Sequence, residues 1–178
     1  MRKVTLLLSC ALVLGLVAGA GAKLPATVDE FKARMETEAK EPKAATHLWF
    51  EAMYTYLNSD EAIKAKGREM MNLMTAEEDW ERIMLGRGTL QKQPWLYQSY
   101  AKGATPANDY KMDPDNFELE FTREVSQQDG KITYLMIKCG GADNPRPFRM
   151  RKNKAGIWRM YEWSSLQVGV KKRAADED

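Results

Sequence analysis

The spacing of apolar residues changes near residue 116, from steps of three and four to alternation by twos, and this change limits the chain to helices followed by strands. Thr27 and Glu30 have the spacing of a capping box, with Val28, Phe31 and Met35 behind them at helical intervals, so a helix is expected from Val28 to Ala39. Pro42 separates it from a second helix, Lys43 to Leu57, in which Ala45, Leu48, Trp49, Ala52, Met53 and Tyr56 form one apolar stripe. Asn58 or Ser59 is expected to cap a third helix carrying Ile63, Met70, Met71 and Met74. Thr75 with Glu78 repeats the capping spacing before Trp80, Ile83 and Met84, and Gly86 and Gly88 end the helical half.

In the second half Phe117, Leu119, Phe121 and Val125 alternate with Glu118, Glu120, Thr122 and Glu124, the pattern of a strand with one wet face. Asp129-Gly130 supplies a hairpin turn into Lys131 to Cys139, which is apolar on both alternating sets and is therefore expected to be central. Tyr134 and Met136 should lie on one side of it and Leu135, Ile137 and Cys139 on the other, with one side meeting Leu48, Trp49, Met53 and Tyr56. Pro145 and Pro147 delimit a third strand, Phe148 to Lys152, and Asn153 to Gly156 turns it into a fourth, Ile157 to Trp163. Trp95 to Tyr100 and Leu166 to Val170 are candidate edge strands. Trp158 and Trp163 fall on opposite alternation sets, so one should join the core and the other face a pocket or partner.

The expected fold class is α+β: N-terminal helices packed on a C-terminal antiparallel sheet of four to six strands. The order of elements resembles the cone-shaped nuclear transport factor 2-like fold, which implies a curved sheet enclosing a pocket with the helices. A flat sheet covered on one side is the alternative.

The first 22 residues have the three parts of a secretory signal: Arg2 and Lys3, an apolar run from Val4 to Ala18, and Ala20-Gly21-Ala22 before Lys23. An uncleaved anchor would keep large apolar residues where this run becomes small. A lipid anchor on Cys10 is disfavoured because the apolar run lies mostly after that residue. The domain expected after cleavage is residues 23–170, with a charged, disordered tail at 171–178 and no membrane span; the location is periplasmic or extracellular. Of 27 lysines and arginines two sit in the leader, which leaves 25 against 25 acidic residues and argues against a nucleic-acid partner. Without Cys10, Cys139 has no intramolecular disulfide partner and is expected to be a buried thiol.

Candidate chemistry is sparse. His47 and Glu51, one helical turn apart, have the spacing of an acid–base pair or half a metal site, but there is no second histidine, and a structural histidine is the simpler expectation. A Cys139 nucleophile would need His47 as its base. Asp113, Asp115, Asn116 and Glu118 gather oxygen atoms without the calcium-loop glycine and distal glutamate, and so suggest a turn. Gly86-Arg87-Gly88 lacks the third glycine of a dinucleotide loop, and Met70, Met71, Met74 and Met84 suit core filling. No metal or cofactor is expected. Two features stand above this background. Arg146, Arg149, Arg151, Lys152, Lys154 and Arg159 concentrate positive charge in the third and fourth strands, with Glu118, Glu120 and Glu124 on the first as cross-strand partners. Trp95, Tyr97, Tyr100, Tyr110, Trp158, Tyr161 and Trp163 supply aromatic surface with polar tips. The candidate ligand-binding set is therefore Trp95, Tyr100, Tyr110, Arg149, Arg151, Trp158 and Trp163.

Ser99-Tyr100-Ala101-Lys102-Gly103-Ala104-Thr105-Pro106, with Tyr110, and the stretch from Trp158 through Trp163 to Val170 resemble segments of an uncharacterised bacterial family. The resemblance implies an exported or surface-associated protein without an assigned activity, and carries over no functional residue. The functional expectation is an exported, non-enzymatic domain binding a small ligand or an envelope protein. The alternatives are a cone-fold enzyme using pocket carboxylates or tyrosines, and a structural envelope component.

Overall fold

A computed structural model describes residues 23–85, 93 and 95–176, so the leader and Gly86-Arg87-Gly88 lie outside the described residues. Helix α1 (Val28–Glu38) starts where expected: Thr27 Oγ1 accepts from the Glu30 N–H at 3.1 Å, while the Glu30 carboxylate reaches back to the Ala26 N–H. Pro42 opens helix α2 (Pro42–Tyr56) rather than merely preceding it, since the first helical position needs no N–H. Asp60, not Asn58 or Ser59, caps α3 (Glu61–Met74), its Oδ1 accepting from Ala62 and Ile63. Thr75 ends α3 instead of starting the short α4 (Trp80–Leu85), because its hydroxyl is already taken by the Trp49 indole N–H at 3.0 Å.

Helices α2 and α3 pack most closely at Gly67. A Cβ there would fall 2.2 Å from the Tyr56 nitrogen and 2.5 Å from its Cα, so only glycine allows the two backbones this approach.

The sheet is antiparallel, in the order β1 (Phe121–Gln127), β2 (Ile132–Ile137), β3 (Arg146–Lys152), β4 (Trp158–Glu162), and it is open rather than closed into a cone. The α+β arrangement of helices and sheet is thus observed. The β1–β2 turn uses left-handed backbone at Gln128, Asp129 and Gly130. A bulge between Phe121 and Arg123 shifts the register of β1, so Phe121 lies opposite Ile137 and Val125 opposite Tyr134, on different faces. This breaks the single apolar face expected for that strand, whose ladder also begins at Phe121 and not at Phe117. Strand β3 begins at Arg146 and contains Pro147, which lies beyond the last residue paired with β4, where the missing N–H costs no ladder bond on that side.

Leu135, Ile137, Phe148, Met150, Trp158 and Met160 are buried on the inner face, in one core with Leu48, Trp49, Met53 and Tyr56. Tyr134 and Met136 lie on the opposite, half-exposed face, as the alternation of β2 predicts. A second bulge, between Arg149 and Met150, ends the alternation of β4 early, so Trp158 and Trp163 are both buried, and Trp163 tilts against Trp49 with ring centroids 6.5 Å apart. Neither candidate edge strand forms. Trp95–Gln98 is a short helix, α5, with Trp95, Leu96 and Tyr97 all buried, and Ser164–Gln167 is a 3-10 turn.

The outer edge of β4 receives the ends of two helices. The Trp158 N–H donates to the Ala39 carbonyl at the end of α1, the Ala76 N–H donates to the Met160 carbonyl, and the Arg159 guanidinium donates to the Asn72 and Thr75 carbonyls at the end of α3. A cation at a helix C-terminus meets the negative end of its dipole, so one strand edge and two helix ends satisfy each other. Residues 171–176, whose composition alone predicts disorder, are tied down. The Lys171 N–H donates to the Gly141 carbonyl, the Tyr110 hydroxyl donates to the Lys171 carbonyl at 2.7 Å, and Ala174–Asp176 forms a 3-10 turn. Among the described residues no helix is long and apolar enough to cross a membrane.

Candidate functional site

The candidate binding residues separate into two environments. Trp95 and Tyr110 stack on each other inside the protein, centroids 5.2 Å apart and planes within 5°. Tyr100 donates its hydroxyl to the Leu166 carbonyl at 2.9 Å, and Trp158 is covered by the Lys152 ammonium. These four are core residues. Burial pushes the Tyr100 phenol well up, with a smaller contribution from Cys139, and raises the Tyr110 phenol to about 12.

Arg149 and Arg151 lie together on the outer face of the sheet, away from Phe148 and Met150, as strand alternation requires. Arg149 pairs with Glu162 and lies near the Tyr134 ring; Arg151 lies 4.3 Å from the centre of the Tyr161 ring and 3.7 Å from Glu77. Their glutamate partners border a cleft of about 170 Å³ between α4 and the end of β4, lined by Glu77, Ile83, Tyr161, Glu162, Trp163, Ser164 and Gln167. Of the candidate set, Trp163 lines this cleft and the two arginines flank it. Glu77, Ile83, Ser164 and Gln167 lie outside the candidate binding set read from the sequence. Ile83, at 43% exposure, lies on the expected apolar stripe but outside the core.

The walls of the cleft are mostly carbon, from the side chains of Trp163, Tyr161 and Ile83. Its two carboxylates each face a guanidinium, and the Gln167 amide donates to the Tyr97 hydroxyl at 2.8 Å. Glutamates held by arginine keep free lone pairs and so remain hydrogen-bond acceptors.

His47 and Glu51 do meet, inside a charged cluster. Glu51 is fully buried, accepts from Arg34 at 2.7 and 2.9 Å, and lies 2.9 Å from His47 Nδ1. Arg34 also makes two hydrogen bonds to Glu38. Burial opposes the Arg34 charge, but the hydrogen bonds and charges of Glu38 and Glu51 outweigh it, and the net shift is upward. The second His47 nitrogen lies 3.2 Å from the Phe117 carbonyl, and the ring stacks on Phe117 at 4.2 Å. Both ring nitrogens of His47 thus face oxygen atoms of the protein. Cys139 is a buried thiol, 3.2 Å from Ser99 Oγ.

Other groups resolve as local structure. Asp113 and Asp115 accept from the backbone N–H groups of Asp115 and Leu24. Glu118, Glu120 and Glu124 pair with Lys102, Lys138 and Lys43, not with the arginines of β3 and β4. β2 lies between β1 and the strands that carry the arginines, so acids on and before β1 meet lysines closer by.

No curated protein and no solved structure matches the chain. A family model described as "Domain of unknown function (DUF6935)" matches residues 23–174, which is most of the chain, and the protein therefore belongs to that family.

Proposed function

We propose that the protein is an exported, non-enzymatic domain that binds a small neutral ligand, sugar-like in having both apolar and hydroxyl-bearing faces, in the cleft between α4 and the end of β4. The cleft itself carries this reading. An aromatic and aliphatic wall beside acceptors already charge-balanced by Arg149 and Arg151 suits a ring that stacks on carbon and donates hydroxyl groups, rather than a free cation or anion. Its volume of about 170 Å³ accommodates one such ring. The leader, with Ala20-Gly21-Ala22 ahead of Lys23, supports export, and the periplasm or the cell exterior is where such a protein would meet envelope sugars.

Titrating the protein with a panel of neutral mono- and disaccharides while following tryptophan fluorescence tests the binding. At least one sugar should give a saturable change, and Tyr161→Ala should weaken that binding about tenfold, the scale of one lost aromatic contact. No saturable change across the panel, or binding indifferent to Tyr161→Ala, would reject the cleft. Mass spectrometry of the exported protein should place its first residue at or near Lys23; a retained leader or lipid on Cys10 would reject the export route.

A further inference from the structure

His47 is the single histidine of the chain, and both of its ring nitrogens face oxygens. The Phe117 carbonyl only accepts hydrogen bonds, and so does the Glu51 carboxylate when ionised. A neutral imidazole has one N–H and one lone pair, so it satisfies only one of two acceptors; the imidazolium satisfies both. Glu51 already accepts two hydrogen bonds from Arg34, so the proton that joins the two acceptors is assigned to the ring.

The surrounding charges agree with that assignment. Arg34 and Glu38 face the cluster from α1 and Glu51 from α2, so an imidazolium makes two cations against two anions. Lys43, one turn before His47, is engaged by Glu124, and Glu118, next to Phe117, is engaged by Lys102. His47 keeps 26% of its side-chain surface exposed, which lets solvent protons reach it.

We propose that His47 is a pH-sensitive latch between α2 and the segment leading into β1. Protonated, it ties the Phe117 carbonyl to α2 through Nε2. Deprotonated, it keeps the Nδ1–H bond to Glu51, turns a lone pair toward the Phe117 carbonyl, and that contact opens. Phe117 and Glu118 form one wall of a polar depression of about 370 Å³, with Lys102, Met112, Asp113 and Asn116 on the other sides, so the latch sets the shape of that depression. Histidine is the side chain whose charge ordinarily changes between pH 5 and 8.

Nitrogen-15 NMR of the protein between pH 5 and 8 tests this. The His47 ring should pass from doubly protonated to the Nδ1–H neutral form, and the Glu118 amide, which shares a peptide plane with the Phe117 carbonyl, should shift with the same midpoint. In His47→Gln the Glu118 response should disappear. A ring that titrates while the Glu118 amide stays still, a ring that keeps one charge throughout, a neutral form protonated on Nε2, or a Glu118 response that survives in His47→Gln would each overturn the proposal. If His47→Gln does not fold, the wild-type curves decide alone.

Discussion

Two arginine–glutamate pairs of the same chemistry sit in different surroundings, one between two helices and one on the sheet. Arg34 and Glu51 meet under α1, with 18% and 0% of their side chains exposed; Arg149 and Glu162 meet on the outer face of the sheet, with 38% and 48% exposed. Desolvation of two charges is costly, and the inner pair offsets it with paired hydrogen bonds between Arg34 and Glu51 and with further bonds to Glu38 and His47. Water does most of that work for the outer pair. The inner charges therefore form a unit that fails when one member is removed, whereas the outer pair is free to serve a surface role.

The largest effect should come from breaking the inner unit. Glu51→Gln keeps the shape and leaves Arg34 its bonds to Glu38, but replaces the buried carboxylate that Arg34 and the His47 Nδ1 share with a neutral amide, and should destabilise the protein by about 2–3 kcal/mol, the scale of a lost charge-assisted hydrogen bond. The urea unfolding midpoint reads it directly. A loss below about 1 kcal/mol would mean that water reaches Arg34 and that the contrast between the two pairs is false.

Helix positions and the apolar face of β2 were legible in the sequence because each follows from side-chain period alone. The charged cluster was half legible: the spacing of His47 and Glu51 shows that they share a face, but nothing local reveals that Arg34 of α1 and the Phe117 carbonyl close around them. The misassigned elements have a common cause. Trp95 to Tyr100 is rich in aromatic residues that favour strands, yet forms a single helical turn where burial of all its large side chains decides the conformation. The two bulges, at Phe121 and at Arg149, shift strand register without any sequence mark; the first moved Val125 from the side that alternation assigns, and the second lies where Trp158 and Trp163 are both buried. The cleft was illegible because Glu77 and Ile83 join Tyr161 and Gln167 only through packing of α4 near the end of β4.

Between the two ion pairs in burial energetics stands a neutral polar group, Tyr100. Its hydroxyl is buried against the Leu166 carbonyl, so Tyr100→Phe leaves a buried acceptor unpaired and should cost about 1–2 kcal/mol near neutral pH. Burial raises the Tyr100 phenol in the folded protein above its unfolded value. The folded state then holds a proton that the unfolded chain releases, so the stability contribution is complete below about pH 10, the unfolded phenol value, and is lost as pH rises above it. Tyr54 and Tyr97 are raised by burial in the same direction. Unfolding monitored from pH 8 to 12 should show this loss in the wild type and a shallower one in Tyr100→Phe. Equal slopes would show that the phenol reaches solvent before the chain unfolds.

The smallest effect belongs to the outer pair. Arg149→Ala removes a guanidinium that is more than a third exposed, leaves Glu162 in contact with water, and should change stability by no more than about 0.5 kcal/mol. Its consequence should appear at the cleft instead. Without Arg149, Glu162 presents an uncompensated negative charge on the cleft wall, so preference should move from neutral ligands toward cationic ones, and the shift should fade as salt screens the exposed carboxylate. Comparing a neutral sugar with its amino-substituted analogue, at low and high ionic strength, measures that change independently of folding. If Arg149→Ala instead costs as much stability as Glu51→Gln, the outer arginine is part of the framework, and the division between a structural inner pair and an available outer one does not hold.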